Sequence, residues 1–532
     1  MRYPHPRVLP IGLLFLGLLA VLVTCAWQSD DAYITFRTVS NAWAGHGLTW
    51  NPGERLQSYT HPLWMLLSLL CYGLFREVYY STLALSILLT MTAVTLLVRR
   101  LRPDPWLASG VLLLLATSGA FVDYATSGLE TPLLYLLFVL FVFTAVDPGI
   151  APGKRLSALC LLAAALGLTR LDALLVAFPA LFGAAWRVES RREALGRALI
   201  GLSPLAAWEV FSLVYYGFLV PNTALAKLNV AIPILALIGQ GALYFLDSLR
   251  RDPLTLGATL LFGAVALRRG GAPHRLVAVG IGLYLVYILR IGGDFMSGRF
   301  FAAPFLAAVA LFVATRDFLQ FEATSVRRLL PQVAVALLVC FGMLWPETRW
   351  RSGIDFGSDI PPTTDIAPAG IADERAYYYP YTGLLPVLVR GGSAARQGPP
   401  LPPDPGAIRG ALFAKSDEPA TLRDTVGFFG YFAGDRKVVV DIWALCDPLL
   451  ARLPFRPQGE WRIGHYPRRL PQGYFATRAS GENRLADPDL AAVWDGLAPI
   501  LRGPLFTTRR WREIWRFNTG FYARQSGKED YL

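Results

Sequence analysis

The sequence predicts a polytopic α-helical membrane protein carrying a soluble α/β domain at its C-terminal end. Three observations carry that expectation. The chain is 54% hydrophobic and 17% charged. Residues 8–26, 80–98, 106–122 and 328–345 each approach the roughly 20 apolar residues needed to cross a bilayer. After Trp345 such runs stop and Pro, Gly, Arg and Asp take over. A soluble chain of this length would show several domains with amphipathic helices instead. The formal charge of +12 does not indicate nucleic acid, because the basic residues cluster in short loops between apolar segments, the topology signal of a membrane protein.

Lys and Arg placement threads the chain. Arg2 and Arg7 put the N-terminus in the cytoplasm, and the run 8–26 ends at Trp27, an interfacial anchor type. Long and lacking a clean small-x-small cleavage site, it reads as a retained helix rather than a signal peptide. Residues 28–79 then lie outside, and within them 62–75 is apolar but short, a helix lying at the outer surface. Further spans are expected at 80–98, 106–122, 131–147, 156–169, 173–186, 198–218, 253–267, 276–291, 300–315 and 328–345, with 230–250 amphipathic and interfacial. The clusters Arg99–Arg102, Arg187–Arg197, Arg268–Arg275 and Arg316–Arg328 then all fall on the cytoplasmic side. This map of eleven spans places residues 346–532 in the periplasm as a separate domain of about 190 residues, an ordinary domain size, after a membrane domain of 1–345. In the C-terminal part, 361–368 is a Pro-rich linker or turn region. The runs 426–432 and 438–443 are β-like, with 433–436 as the turn between them.

Cys25, Cys71, Cys160, Cys340 and Cys446 form no CxxC or Cys/His metal spacing. Four lie in or beside apolar segments and read as small core residues. Cys446 stands alone in the C-terminal part, so no disulfide is expected there. No cofactor is indicated, and dependence on a divalent metal is left undecided.

The sharpest polar constellation is Asp30-Asp31, just past the first span. Adjacent carboxylates at a membrane surface are costly unless solvated or used. On an irregular loop one serves as general base while the other holds the loop, a hydroxyl or an ion; the alternative is a helix-capping or solvated pair. The stretch up to Leu63 is rich in polar and aromatic groups: Arg37, a helical segment 32–43, turns at Gly45, Gly47 and 51–53, then Tyr59, Thr60, His61 and Pro62. Carboxylates and aromatic faces suit a sugar-binding cleft. Arg299, after Gly292-Gly293-Asp294, matches a lipid phosphate with its fork of donors or snorkels to headgroups. Lys227 binds the same phosphate or is solvated. Arg170 and Asp172 interrupt two short apolar segments and are expected to pair or line the cleft. Glu130 and Asp123 reach the cleft or cap helices, and His46 and His61 orient hydroxyls.

These stretches resemble the C-type-fold (GT-C) membrane glycosyltransferases, and within them the lipid-phosphate-arabinose-dependent arabinofuranosyltransferases, a branch with mycobacterial cell-wall and pseudomonad pilin members. The matching segments are 30–37 (DDAYITFR), 45–55 (GHGLTWNPGER), 59–64 (YTHPLW), 125–130 (ATSGLE), 169–172 (TRLD), 221–227 (PNTALAK) and 292–300 (GGDFMSGRF). Looser matches follow at 427–431, 447–448 and 462–465. His61 departs from the family pattern, which carries Asn. The resemblance implies an inverting transfer of arabinofuranose from a polyprenyl-phosphate donor to a glycan, lipid or protein acceptor, on the periplasmic side of a bacterial inner membrane. Asp30 is the implied base with Asp31 beside it. Arg299, Lys227, Arg170 and Asp294 face the donor, and Arg37, Tyr59, His61, Glu130 and Asn222 line the cleft. A transporter or flippase would place its polar residues near mid-membrane. A non-catalytic assembly scaffold would need neither the acid pair nor a phosphate-reading arginine.

Overall fold

The computed structural model describes residues 8–101, 104–321, 330–345, 369–390, 402–457, 459 and 461–527. The expected linker at 361–368, Arg2 and Arg7, and Arg327 and Arg328 lie outside the described residues. The chain is mostly helical and groups into two compact units. One comprises Met1–Gln28, Thr82–Leu205 and Leu235–Ala394; the other comprises Ser29–Ser81, Ala206–Ile234 and Ala395–Leu532. The grouping is interleaved along the chain, where the sequence reading drew a single boundary at 345.

The first unit is a set of packed apolar helices. Among the described residues three helices of the chain are long and apolar enough to cross a membrane: Tyr79–Arg100, Arg191–Tyr215 and Ala272–Ile291. Shorter apolar helices stand at Pro10–Thr24, Pro105–Thr117, Thr131–Val146, Leu171–Trp186, Arg299–Thr315 and Gln332–Leu344. The expected span 106–122 is broken: Ser118 is extended (φ −75°, ψ 115°), and its hydroxyl accepts the Phe121 N–H at 3.2 Å to start a new helix, Gly119–Tyr124. An N-cap residue is non-helical, so the helix before Ser118 stops there. Helices approach closely at glycines. A Cβ on Gly280 would lie 2.1 Å from the Val176 carbonyl oxygen, and one on Gly241 would lie 2.1 Å from that of Leu289. Small residues that admit a neighbouring backbone are the usual device of apolar helix packing. Residues 369–390 also belong to this unit. Ala372 bridges the 292–299 loop, donating to Phe295 O at 2.8 Å and accepting from Ser297 N at 2.9 Å.

The second unit has a mixed core built from all three of its segments, including Trp50, Leu56, Phe413, Phe429, Val439, Val440, Leu450 and Trp494. Among the described residues it holds one two-stranded parallel sheet, Ala420–Arg423 beside Val438–Asp441. The second of these was expected from its β-branched run. The run 426–432 was expected as a strand and is instead the helix Gly427–Phe432. Tertiary context overrides strand propensity here, because the first two N–H groups of this helix are claimed by a carboxylate described below. The helix Pro62–Phe75 stands where a short apolar helix was expected. Lys227 stands on a short helix, Asn222–Leu228.

Candidate functional site

Asp30 and Asp31 are the first two residues of the helix Asp30–Trp43, not members of an irregular loop. Ser29 is extended (φ −84°, ψ 159°) and contributes no side-chain cap. Acids in a first turn are favoured by the helix dipole, but Asp30 also reaches a distant partner. Its Oδ1 accepts the Phe428 N–H at 2.6 Å and its Oδ2 accepts the Gly427 N–H at 3.0 Å. The glycine is required there, since a Cβ at 427 would sit 1.8 Å from the Asp30 carbonyl oxygen and 2.6 Å from Oδ2. Burial pushes the Asp30 carboxyl up to about 7. The Phe428 N–H opposes that rise, the charges of Asp31 and Asp404 add to it, and the Gly427 N–H opposes it. A buried carboxyl held near neutrality is suited to proton transfer. Asp31 is half-buried, and its charge reaches the Cys446 thiol.

Aromatic rings back the acid pair. Tyr33 packs against Phe428 at 4.4 Å, Phe36 at 5.2 Å and Tyr431 at 5.3 Å between ring centroids. His61 Nε2 shares a hydrogen bond with Thr35 Oγ1 at 2.8 Å. Tyr59 is buried, with its hydroxyl 2.8 Å from that of Tyr216. Arg37 is a fastener: its guanidinium donates to the carbonyls of Trp50, Gly430 and Lys437 at 2.8, 2.6 and 2.7 Å and lies over the Trp50 ring. It ties the helix Asp30–Trp43 to the segment that carries Gly427. Asn222 is likewise internal, donating to the carbonyls of Ala444, Leu445 and Asp447.

Those three carbonyls belong to a tight loop after the strand Val438–Asp441. Asp441 accepts the N–H groups of Trp443 and Cys446, each at 2.9 Å. Ala444 is held at φ 65°. A non-glycine residue there carries strain of order 1 kcal/mol. Lys227, half-buried on the helix Asn222–Leu228, shares this side of the unit with Arg462 and His465. Burial, with the Arg462 and Lys227 charges adding to it, takes the His465 imidazole down to about 3, so it is neutral at physiological pH.

Arg170, Asp172, Glu130, Arg299 and Asp294 form one ionic network in the helical unit. Arg170 makes a fork with Asp172 at 3.0 and 2.5 Å, reaches Glu130 at 3.1 Å and lies over the Phe300 ring. Arg299 stands 3.4 Å from Asp294 and 3.5 Å from the same Glu130 oxygen. Asp123 instead faces Arg375 at 3.7 Å. The expected Arg170–Asp172 pairing is therefore part of a wider cluster.

No family model and no solved structure matches the chain. Two curated proteins do. The terminal β-(1→2)-arabinofuranosyltransferase of Mycobacterium tuberculosis is 30% identical over 425 residues, covering 70% of this chain and 66% of that protein. The protein of the same name from Corynebacterium glutamicum is 28% identical over 333 residues, covering 53% of this chain and 47% of that protein. This chain is a relative of the terminal arabinofuranosyltransferases. It spans just under two thirds of the first of them and about half of the second. For such a relative, the acid pair, Tyr33, Thr35, His61, Lys227 and the 441–447 loop form the polar and aromatic set of one compact unit. Sequence reasoning missed Asp441, Ala444 and the bond from Asp30 to residues 427–428, which lies almost 400 positions away. The DxWALCD spacing of 441–447 was a usable turn signal; the long-range bond left none.

Proposed function

We propose that this chain is an inverting membrane glycosyltransferase that moves arabinofuranose from a polyprenyl-phosphate donor to a cell-envelope acceptor on the periplasmic face of a bacterial inner membrane. The observation that supports it most is the buried Asp30 carboxyl raised to about 7, in a chain related to transferases of that sugar. An acceptor hydroxyl loses its proton to Asp30 while its oxygen attacks the anomeric carbon. The bond from that carbon to the phosphate oxygen breaks, and the lipid phosphate leaves with the electron pair. One displacement inverts the centre. Cations at the phosphate stabilise the charge that develops there. That role is proposed for Lys227, in the unit that holds the acid pair; Arg299 is proposed independently as a donor-binding residue of the helical unit.

Arg299→Ala is expected to weaken donor use by about 1.5–3 kcal/mol, the value of one charged hydrogen bond. Arg299→Lys restores only part of it, because an ammonium lacks the planar fork. Lys227→Ala is expected to raise the donor KM, with a smaller effect. Transfer of labelled pentose from a synthetic polyprenyl-phosphate donor by purified protein is the measurement. Wild-type donor saturation in both alanine variants removes the phosphate assignment.

The periplasmic placement has its own test. Thr60 and Ser480 are exposed, whereas the nearby Ser58 is 2% exposed and unsuited to labelling. Cysteines at 60 and 480 are expected to react with a membrane-impermeant thiol reagent in spheroplasts. Protection of both until the membrane is opened sinks the topology.

A further inference from the structure

A second site lies within the unit that holds the acid pair. A cavity of about 500 Å³ is lined by residues of three chain segments, 55–57, 216–229 and 452–527. Its size is typical of ligand pockets, which run to roughly 300–1,000 Å³. Neither Asp30, Asp31, nor Gly427 and Phe428 that hold Asp30, lines it. Its wall combines aromatic faces with planar polar groups. Phe218 and Phe517 meet edge to face at 6.0 Å, and the Arg452 guanidinium lies 4.3 Å from the Phe218 centroid and 5.4 Å from that of Phe517. Arg452 is set by Asn222, whose Oδ1 is 3.5 Å from its Nη1. Asn518 spends its Nδ2 hydrogens on the carbonyls of Gly217 and Ile514, and Asn229 donates to that of Ala451. Their amide oxygens remain as acceptors.

We infer that this cavity is a carbohydrate-binding site that holds a stretch of the acceptor glycan away from the acid pair. The C–H faces of sugar rings pack on aromatic rings, while their hydroxyls donate to amide oxygens and accept from a guanidinium. A lipid chain fits poorly, because filling the cavity with hydrocarbon would strip water from Arg55, Arg452 and the amides without replacing their hydrogen bonds. The inference takes the identity of the sugar from the proposed function but not the transfer step. A holding site of this kind favours long acceptors over single sugars, because the bound chain raises the effective concentration of its own end at the reacting centre.

The test uses the full-length protein in detergent, carrying Asp30→Asn and kept free of donor so that nothing turns over, and a linear arabino-oligosaccharide as probe. Binding is followed by saturation-transfer NMR and titration calorimetry. Saturable binding is expected. Ala523→Trp, a substitution at an exposed lining residue, and Phe517→Leu, which keeps an apolar side chain but loses the ring, are each expected to weaken it at least about tenfold without lowering the melting temperature of the Trp variant. Equal binding by parent and both variants overturns the inference. So does failure of the parent to bind at millimolar probe, or displacement of decaprenyl phosphate rather than the oligosaccharide by Ala523→Trp. Binding lost in the variants of a protein that transfers no pentose leaves the inference standing and overturns only the proposed function.

Discussion

Asp30→Asn lowers sugar transfer by about 10²–10⁴-fold, the usual contribution of a general base, while donor binding persists. Asn keeps the volume of Asp but cannot take a proton. It also cannot accept from both Gly427 and Phe428, since one of its two terminal atoms is itself a donor. One N–H then loses its partner in a buried place, at a cost of about 1–3 kcal/mol. A thermal melt therefore accompanies the assay, so that loss of chemistry is separated from loss of fold. Asp31→Asn is expected to be milder and to leave the melt nearly unchanged.

The pH dependence supplies a readout that a merely structural Asp30 would not produce. The base acts as a carboxylate, and its value in the folded protein is about 7. Transfer per unit donor is thus expected to rise with pH through about 7 and then level off. The residual activity of Asp30→Asn loses that limb. Stability runs the other way. Between the ordinary carboxylate value of 3.8 and about 7, the folded chain retains a proton that the unfolded chain has released. The Asp30 contribution is therefore most favourable below that window and is lost as pH rises through it. Asp441, also raised to about 7 by burial, adds to the same stability trend without contributing to the activity limb. Full activity of Asp30→Asn across this range would falsify the assignment of the base.

Glu54→Ala has the largest expected effect on folding. Glu54 is 2% exposed and takes a bidentate bond from Arg478 at 2.6 and 2.7 Å and a further one from Arg502 at 2.7 Å. Burial alone would raise its carboxyl, but the two guanidinium groups outweigh it and hold the group below its ordinary value. Removing the carboxylate takes the bidentate partner from the fully buried Arg478 and leaves it Asp447 at 3.9 Å, and breaking a buried pair in this way costs about 3–5 kcal/mol. The expected result is a large drop in melting temperature and in yield of monodisperse protein. The double variant Glu54→Gln, Arg478→Met is expected to be less damaged than the sum of its single changes, because the bidentate pair is removed as a unit; the Asp447 carboxylate, 3.9 Å from Arg478, then loses that neighbour, so the rescue is partial. Additive losses would show that the pair is not coupled. Because Glu54 is charged in the fold at lower pH than in the unfolded chain, its contribution is present above the ordinary glutamate range and lost as pH falls through its depressed value.

Local composition and spacing were enough for the helical class, the apolar segments and the short helix at Pro62–Phe75, and they singled out the acid pair as a candidate. Each of those rests on neighbours in sequence: apolar runs set by bilayer or core thickness, and two carboxylates that are costly where they stand. The residues also carried the resemblance to the arabinofuranosyltransferases, since short motifs persist where the chain around them drifts. Tertiary structure alone decided the rest. The run 426–432 is helical because Asp30, far away in sequence, accepts its first N–H groups. Arg37 and Asn222, which look like cleft residues in a polar loop, spend their donors on backbone carbonyls of distant segments. The partnership of Glu54 with Arg478 spans 424 positions and joins pieces that the sequence reading assigned to separate domains. Sequence patterning reports the period of an element and the transfer energy of its side chains. Which donor meets which acceptor is set by the closure of long loops, whose entropy depends only weakly on their length, so no local signal marks the partner in advance.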